Sequence, residues 1–98
     1  MADSTNTNPL IIDGTNTTAR SIITADFVVT SIVVVGSANS WVVRLTDANN
    51  VYSVFRSTSA ISGDRGGCYR IGPTQIKGIY ANTLTNITEI LIYGYSVA

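Results

Sequence analysis

β-Branched side chains dominate this chain: Ile, Val and Thr fill 35 of its 98 positions. Two heavy atoms on Cβ restrict χ1 in a helix yet pack well on a pleated surface. The strong helix formers are correspondingly thin, and Met1, Gln75, Lys77 and Glu89 are each the single residue of their type. Ser, Thr and Asn together supply 31 residues, so the polar half of the surface uses hydroxyls and amides instead of charges. The chain therefore reads as all-β. Its length of 98 residues allows one domain. Surface scaling gives about 5,400 Å² folded against roughly 15,000 Å² unfolded, enough burial for a core without covalent staples.

Charged residues make up only 12% of the chain, six basic against six acidic, for zero net charge. Nucleic acid and anionic membrane are thus not expected partners, because no electrostatic source for either is present. Little repulsion keeps strand edges and neutral faces apart, which suits a subunit whose surfaces are covered by neighbours. There is no histidine, which removes the commonest general base and metal ligand. Cys68 is the only cysteine; it cannot form an internal disulfide and fits assembly in a reducing cell.

Residues 1–8 (MADSTNTN) are polar, lack apolar periodicity and end at Pro9, so they read as a flexible arm ahead of a domain over 9–98. No signal peptide or membrane-spanning helix is expected. Beyond the arm, short apolar runs alternate with turn clusters at the spacing of a β-sandwich or a jelly-roll-like barrel. Strands are expected at Leu10–Ile12, Arg20–Ile23, Phe27–Val35, Trp41–Thr46, Val51–Ser57, Cys68–Ile71, Ile76–Ala81 and Thr88–Tyr95, seven or eight in all. Ala25-Asp26, Gly72-Pro73 and 82–86 are read as the intervening breaks and turns. Phe27–Val35 is apolar on both faces near its end, the pattern of a central strand covered on both sides. The clearest hairpin turns at Asp47-Ala48-Asn49-Asn50. With Thr46 opposite Val51, Leu45 faces Tyr52, Val43 faces Val54, Trp41 faces Arg56 and Arg44 faces Ser53; a turn centred on Asn49-Asn50 shifts this by two. The stretch 58–67, with Gly63, Gly66 and Gly67, reads as an exposed loop.

Few residues can carry chemistry. Asp13, Asp26, Asp47, Asp64 and Glu89 are the acids available for a paired-carboxylate site, but most lie in turns, where Asp serves as a turn former. Cys68 has no histidine to activate it and reads as a packed thiol. The Asp47–Asn50 turn lacks the carboxylate density of a calcium site, and Gly63–Gly67 lacks the lysine and helix of a phosphate loop. No catalytic residue, metal, cofactor or small-molecule substrate is expected. Among the aromatics, Trp41, Tyr52, Phe55 and Tyr69 could line a sugar-binding face, although core packing accounts better for Trp41, Phe55 and Phe27. Tyr93 and Tyr95 share strand parity with Leu91 and read as interface material.

The order of features over residues 8–95 carries a resemblance. Asn8-Pro9-Leu10-Ile11-Ile12-Asp13 opens it, followed by Phe27 to Gly36, then the hairpin Val43 to Tyr52, Ile76-Lys77-Gly78-Ile79-Tyr80, and Ile90-Leu91-Ile92-Tyr93. This pattern resembles the small virion structural proteins of tailed bacteriophages, of the head decoration or capsid cement type. It departs from them at Asn49-Asn50, where such hairpins are expected to carry a glycine. The resemblance implies a non-enzymatic protein assembled in the host cytoplasm that binds the major capsid protein at the capsid surface in many copies, often as a homotrimer. The residues expected to contact the partner are Asp3, Ser4, Thr5, Asn6, Thr7 and Asn8 of the arm, Gly63, Asp64, Arg65 and Gly66 of the loop, and Tyr93 and Tyr95. The alternative is a tail or fibre component that recognises a host-surface glycan.

Overall fold

A computed structural model describes residues 3–38, 40–59 and 66–97. The strands are β1 (Leu10–Asp13), β2 (Arg20–Gly36), β3 (Val42–Thr46), β4 (Ser53–Thr58), β5 (Gly66–Thr85) and β6 (Ile87–Ser96). All pair antiparallel, in the order β1-β6-β2-β5-β3-β4. The all-β expectation holds. Among the described residues, however, six strands join in one open sheet, where seven or eight in a sandwich or barrel were expected.

The count falls because two signals read as breaks are bulges inside long strands. At Ala25-Asp26, β2 continues, and residues 24 and 25 face the single residue Gly78 of β5, between the pairs Ile23↔Ile79 and Asp26↔Lys77. Gly78 takes φ +79 there. At Gly72-Pro73, β5 also continues: residues 71–73 oppose Thr30 alone, between Ser31↔Arg70 and Val29↔Thr74. A proline can sit in a strand at such a bulge because no ladder bond is asked of its nitrogen. The β2–β6 register shifts at the same residue, and the Thr30 hydroxyl donates to the Tyr93 carbonyl at 3.2 Å. The turn expected over 82–86 narrows to Asn86, which adopts φ 55 between β5 and β6.

The β3–β4 hairpin forms, but not in the Thr46–Val51 register. Thr46 pairs with Ser53, which is the alternative register of a turn centred on Asn49-Asn50, while Leu45 pairs with Phe55 and Arg44 with Arg56, one residue further out beyond a bulge. The cause is Asp47. Its Oδ1 accepts the backbone N–H of Val51 (2.8 Å) and of Tyr52 (3.2 Å), and its own N–H donates to the Tyr52 carbonyl. These bonds hold 47–52 as a loop and push the strand pairing outward. Arg44 still reaches Ser53, through a 3.2 Å side-chain hydrogen bond.

The core is one cluster that draws on strands from both ends of the sheet: Leu10 and Ile12 from β1, Ile32 and Val34 from β2, Val43 and Leu45 from β3, Ile79 from β5, and Ile90 and Ile92 from β6, around a fully buried Trp41. A flat sheet cannot gather β1 and β3 into one cluster, so the bulges at Thr30 and Gly78 coil it over its own inner face.

Candidate functional site

Strand alternation splits β2 and β6 into two faces. Ile32, Val34, Ile90 and Ile92 point into the core, leaving Val33, Val35 and Leu91 on the outer face. The registers Ile11↔Leu91, Val33↔Leu91 and Val33↔Cys68 align a row across four strands: Ile11, Leu91, Val33, Cys68. Cys68, expected as a packed thiol, is exposed there, because strand alternation turns it to the outer face with Val33. Tyr93, Ser31 and Arg70 form the next row, and Tyr95, Val28 and Gln75 the one after it. Ile11, Val33, Val35 and Leu91 are half-buried and lie outside the core cluster, whereas Val28, between Tyr95 and Gln75, is itself buried at 8% exposed. At about 4.8 Å between strands the Ile11–Cys68 row is about 14 Å wide, and the two rows beyond it bring Ser31, Arg70 and Gln75 beside Tyr93 and Tyr95. Glu89, beside Val35, and Arg70, beside Ser31, flank the Val33 row with one charge of each sign.

The segment expected to be a flexible arm borders this face, and its first described residues are tied down. Ser4 and Ile11 exchange both backbone hydrogen bonds, at 2.8 and 2.9 Å. Asp3 accepts the Asp13 N–H at 2.7 Å and pairs with Arg20 through two 2.8 Å bonds. Arg20 uses all five guanidinium N–H groups, on Asp3 and on the carbonyls of Asp13, Asn16 and Thr18. The Arg20 guanidinium holds the Asp3 carboxyl below the ordinary carboxylate range against the opposing effect of its partial burial. The Thr15 hydroxyl does the same for Asp13.

These bonds close the outer edge of β1. Along that edge Pro9 has no N–H and its carbonyl takes the Thr7 hydroxyl; Ile11 is paired with Ser4; Asp13 gives its N–H to Asp3 and takes Arg20 on its carbonyl. A strand edge that would otherwise template pairing with another chain is satisfied from within. Sequence reasoning missed this because Arg20 lies 17 residues from Asp3.

Of the residues expected to contact a partner, Asp3 and Ser4 thus turn their hydrogen bonds inward. Thr5, Asn6, Thr7 and Asn8 are exposed and, with Tyr95, line a groove of about 430 Å³ floored by Leu10, Phe27 and Gly94. Asn8 accepts the Gly94 N–H at 3.4 Å. Tyr95 is 58% exposed and Tyr93 36%; both lie on the outer face with Leu91. Gly66 is not brought to this group. It pairs with Val35, seven residues along β2 from Val28, or about 23 Å. Gly63, Asp64 and Arg65 lie outside the described residues. The sequence placed Leu91 on one face with Tyr93 and Tyr95 but did not extend that surface to Ile11 and Val33, although the two-sided apolar pattern of Phe27–Val35 was the signal for it.

Among the described residues, no group of three or more Cys, Asp or Glu side chains is arranged to hold a metal ion. No protein-family model matches the chain, and neither a curated protein nor a solved structure matches it.

Proposed function

We propose that the chain is a non-enzymatic structural subunit that docks on an assembled capsid shell in many copies and stabilises it. One observation carries the reading: β2 is a central strand with apolar side chains on both faces, and on its outer face Val33 and Val35, with Leu91 and Ile11 beside them, stay half-exposed outside the core cluster. A contiguous apolar sheet face of this kind marks an interaction surface. Its apolar centre, a single row about 14 Å wide, falls far short of the roughly 800 Å² per partner of a stand-alone stable complex. That size favours weak contacts repeated over a lattice, where the linked copies gain from multivalency. The exposed residues 5–8 and Tyr95 supply a polar and aromatic rim. The resemblance to phage head decoration proteins supplies the identity of the shell, with the major capsid protein as partner and a homotrimer as the expected form.

The test is the composition of purified particles from the cells that produce the chain. Hundreds of copies per head are expected, and Leu91→Glu, which places a charge in the middle of the outer face, removes the protein from particles while it remains folded. Absence from particles, or a handful of copies confined to a tail, overturns the reading.

A further inference from the structure

Of the four aromatics that could line a sugar-binding face, the structure leaves one free to do so. Trp41 is fully buried, and Phe55 and Tyr69 pack edge to face with ring centroids 5.2 Å apart. Tyr52 is 73% exposed. It stands at one wall of a groove of about 530 Å³ between the β3–β4 loop and the middle of β5, with Val54 and Ile76 also lining it.

This loop is exposed yet firmly held. Beyond the Asp47 bonds described above, Asn50 adopts φ 57 and donates its N–H to the Asp47 carbonyl. Its side-chain Oδ1 accepts from Thr46 (2.8 Å) and from Asn82 (2.9 Å). Ala48 donates to the Lys77 carbonyl at 2.9 Å, and its methyl group occupies the space that a side chain at Gly78 would need. The backbone that carries Tyr52 is fixed at many points, so a ligand has the ring's own rotamer to order and little of the loop beneath it.

The polar groups at the groove are Asp47, Asn49, Thr74 and Lys77. Oδ1 of Asp47 is used by the loop, while Oδ2 has no partner among the described residues, and Lys77 makes no ion pair there. One negative and one positive group leave the rim neutral, which disfavours an ionic ligand. A flat apolar ring beside a carboxylate, an amide, a hydroxyl and an ammonium matches a pyranose, which has an apolar C–H face and a ring of hydroxyls. We propose that this groove binds an uncharged saccharide ring, stacked on Tyr52 and hydrogen-bonded by Asp47, Asn49 and Lys77. The groove shares no residue with the outer face of β1, β6 and β2, so the inference stands or falls separately from the capsid role.

The experiment is a titration of the ¹⁵N-labelled full chain, followed by amide shifts, with the methyl glycosides of glucose, galactose, mannose and N-acetylglucosamine. Sodium phosphate serves as the anion control. At least one glycoside is expected to give saturable shifts confined to residues 47–54 and 74–77. Tyr52→Ala weakens that binding about tenfold, Tyr52→Trp retains it, and Val51→Ala, exposed beside it but outside the groove, leaves it unchanged. The proposal is overturned if no glycoside saturates, if the shifts fall elsewhere, if Tyr52→Ala binds as the parent does, or if phosphate alone binds.

Discussion

At the scale of single residues, two glycines show how conformation and space combine. Gly78 sits at φ +79, and a Cβ there meets the Ala48 Cβ at 2.6 Å and the Ile23 carbonyl oxygen at 2.7 Å. A left-handed conformation alone costs an L-residue about 1–2 kcal/mol, and neither neighbour can retreat without moving the bulge or the loop. Gly78→Ala is therefore expected to lose about 2–3 kcal/mol, read as a lower urea midpoint by the fluorescence of Trp41. Gly72 lies in the other bulge with nothing within 4 Å of a built Cβ, so Gly72→Ala is expected to stay within about 0.5 kcal/mol of the parent. A comparable loss in both variants defeats the argument from space. The Asp3–Arg20 pair makes a prediction with a definite sign. Its pKa is lower in the folded chain than the unfolded value of about 3.9, so the folded state binds the proton less readily. The tether's contribution is complete above the unfolded value and disappears as pH falls through the lower folded one. Between pH 6 and about 4.5 the Ser4 and Ile11 amide resonances should hold their positions; further acidification should move them together, and Asp3→Asn should abolish that acid-dependent shift. Movement centred near neutral pH contradicts it.

At the scale of elements, the arm acts as an edge cap. Ser4, Thr7, Asp3 and Arg20 satisfy the groups that β1 would otherwise turn outward. Removing residues 1–8 is expected to leave a folded chain that associates as its concentration rises, seen as a climbing weight-average mass in light scattering. A mass that follows the intact chain's at every concentration means that the cap is dispensable. Much of the element structure was legible in the sequence: the apolar runs at Leu10, Phe27–Val35, Val43–Leu45 and Ile90–Ile92 all lie in strands. The boundaries were less so, because Ala25-Asp26 and Gly72-Pro73 carry the local chemistry of turns. Only pairing with a neighbouring strand lets such residues sit in a bulge instead. The sequence offered two hairpin registers and could not choose between them or place the bulge at Leu45/Thr46, since a side-chain acceptor on Asp47 decides it. Of the candidate site, the shared parity of Leu91, Tyr93 and Tyr95 could be read along one strand. The row from Ile11 to Cys68 could not, because it depends on three registers at once. The meeting of residues 5–8 with Tyr95 could not be read either, because it follows from β1 lying beside β6.

At the scale of the whole molecule, that same neighbourhood makes the two chain ends interdependent. β6 lies between β1 and β2, so it supplies all of the strand pairing of β1 on one side and half of that of the central strand β2. It also places Ile87, Ile90 and Ile92 in the core, none more than 2% exposed. Losing a buried isoleucine costs about 2–5 kcal/mol, so three together approach the about 5–15 kcal/mol that holds a domain folded. The radius of gyration, 12.3 Å, is close to the about 12.6 Å of a compact chain this long, and a single core of this size unfolds as one unit. A chain ending at residue 86 keeps Trp41 and most of the core side chains but loses the strand that joins both halves of the sheet. We expect it to show no cooperative urea transition and a red-shifted, solvent-exposed tryptophan emission already in water. The separate hairpin β3–β4 cannot rescue it, because an isolated two-stranded ribbon has no second layer under which to bury Val43 and Leu45. A sigmoidal transition in that truncated chain would mean that β2, β5 and β3 close a core by themselves, and that β6 is an addition to the fold instead of its keystone.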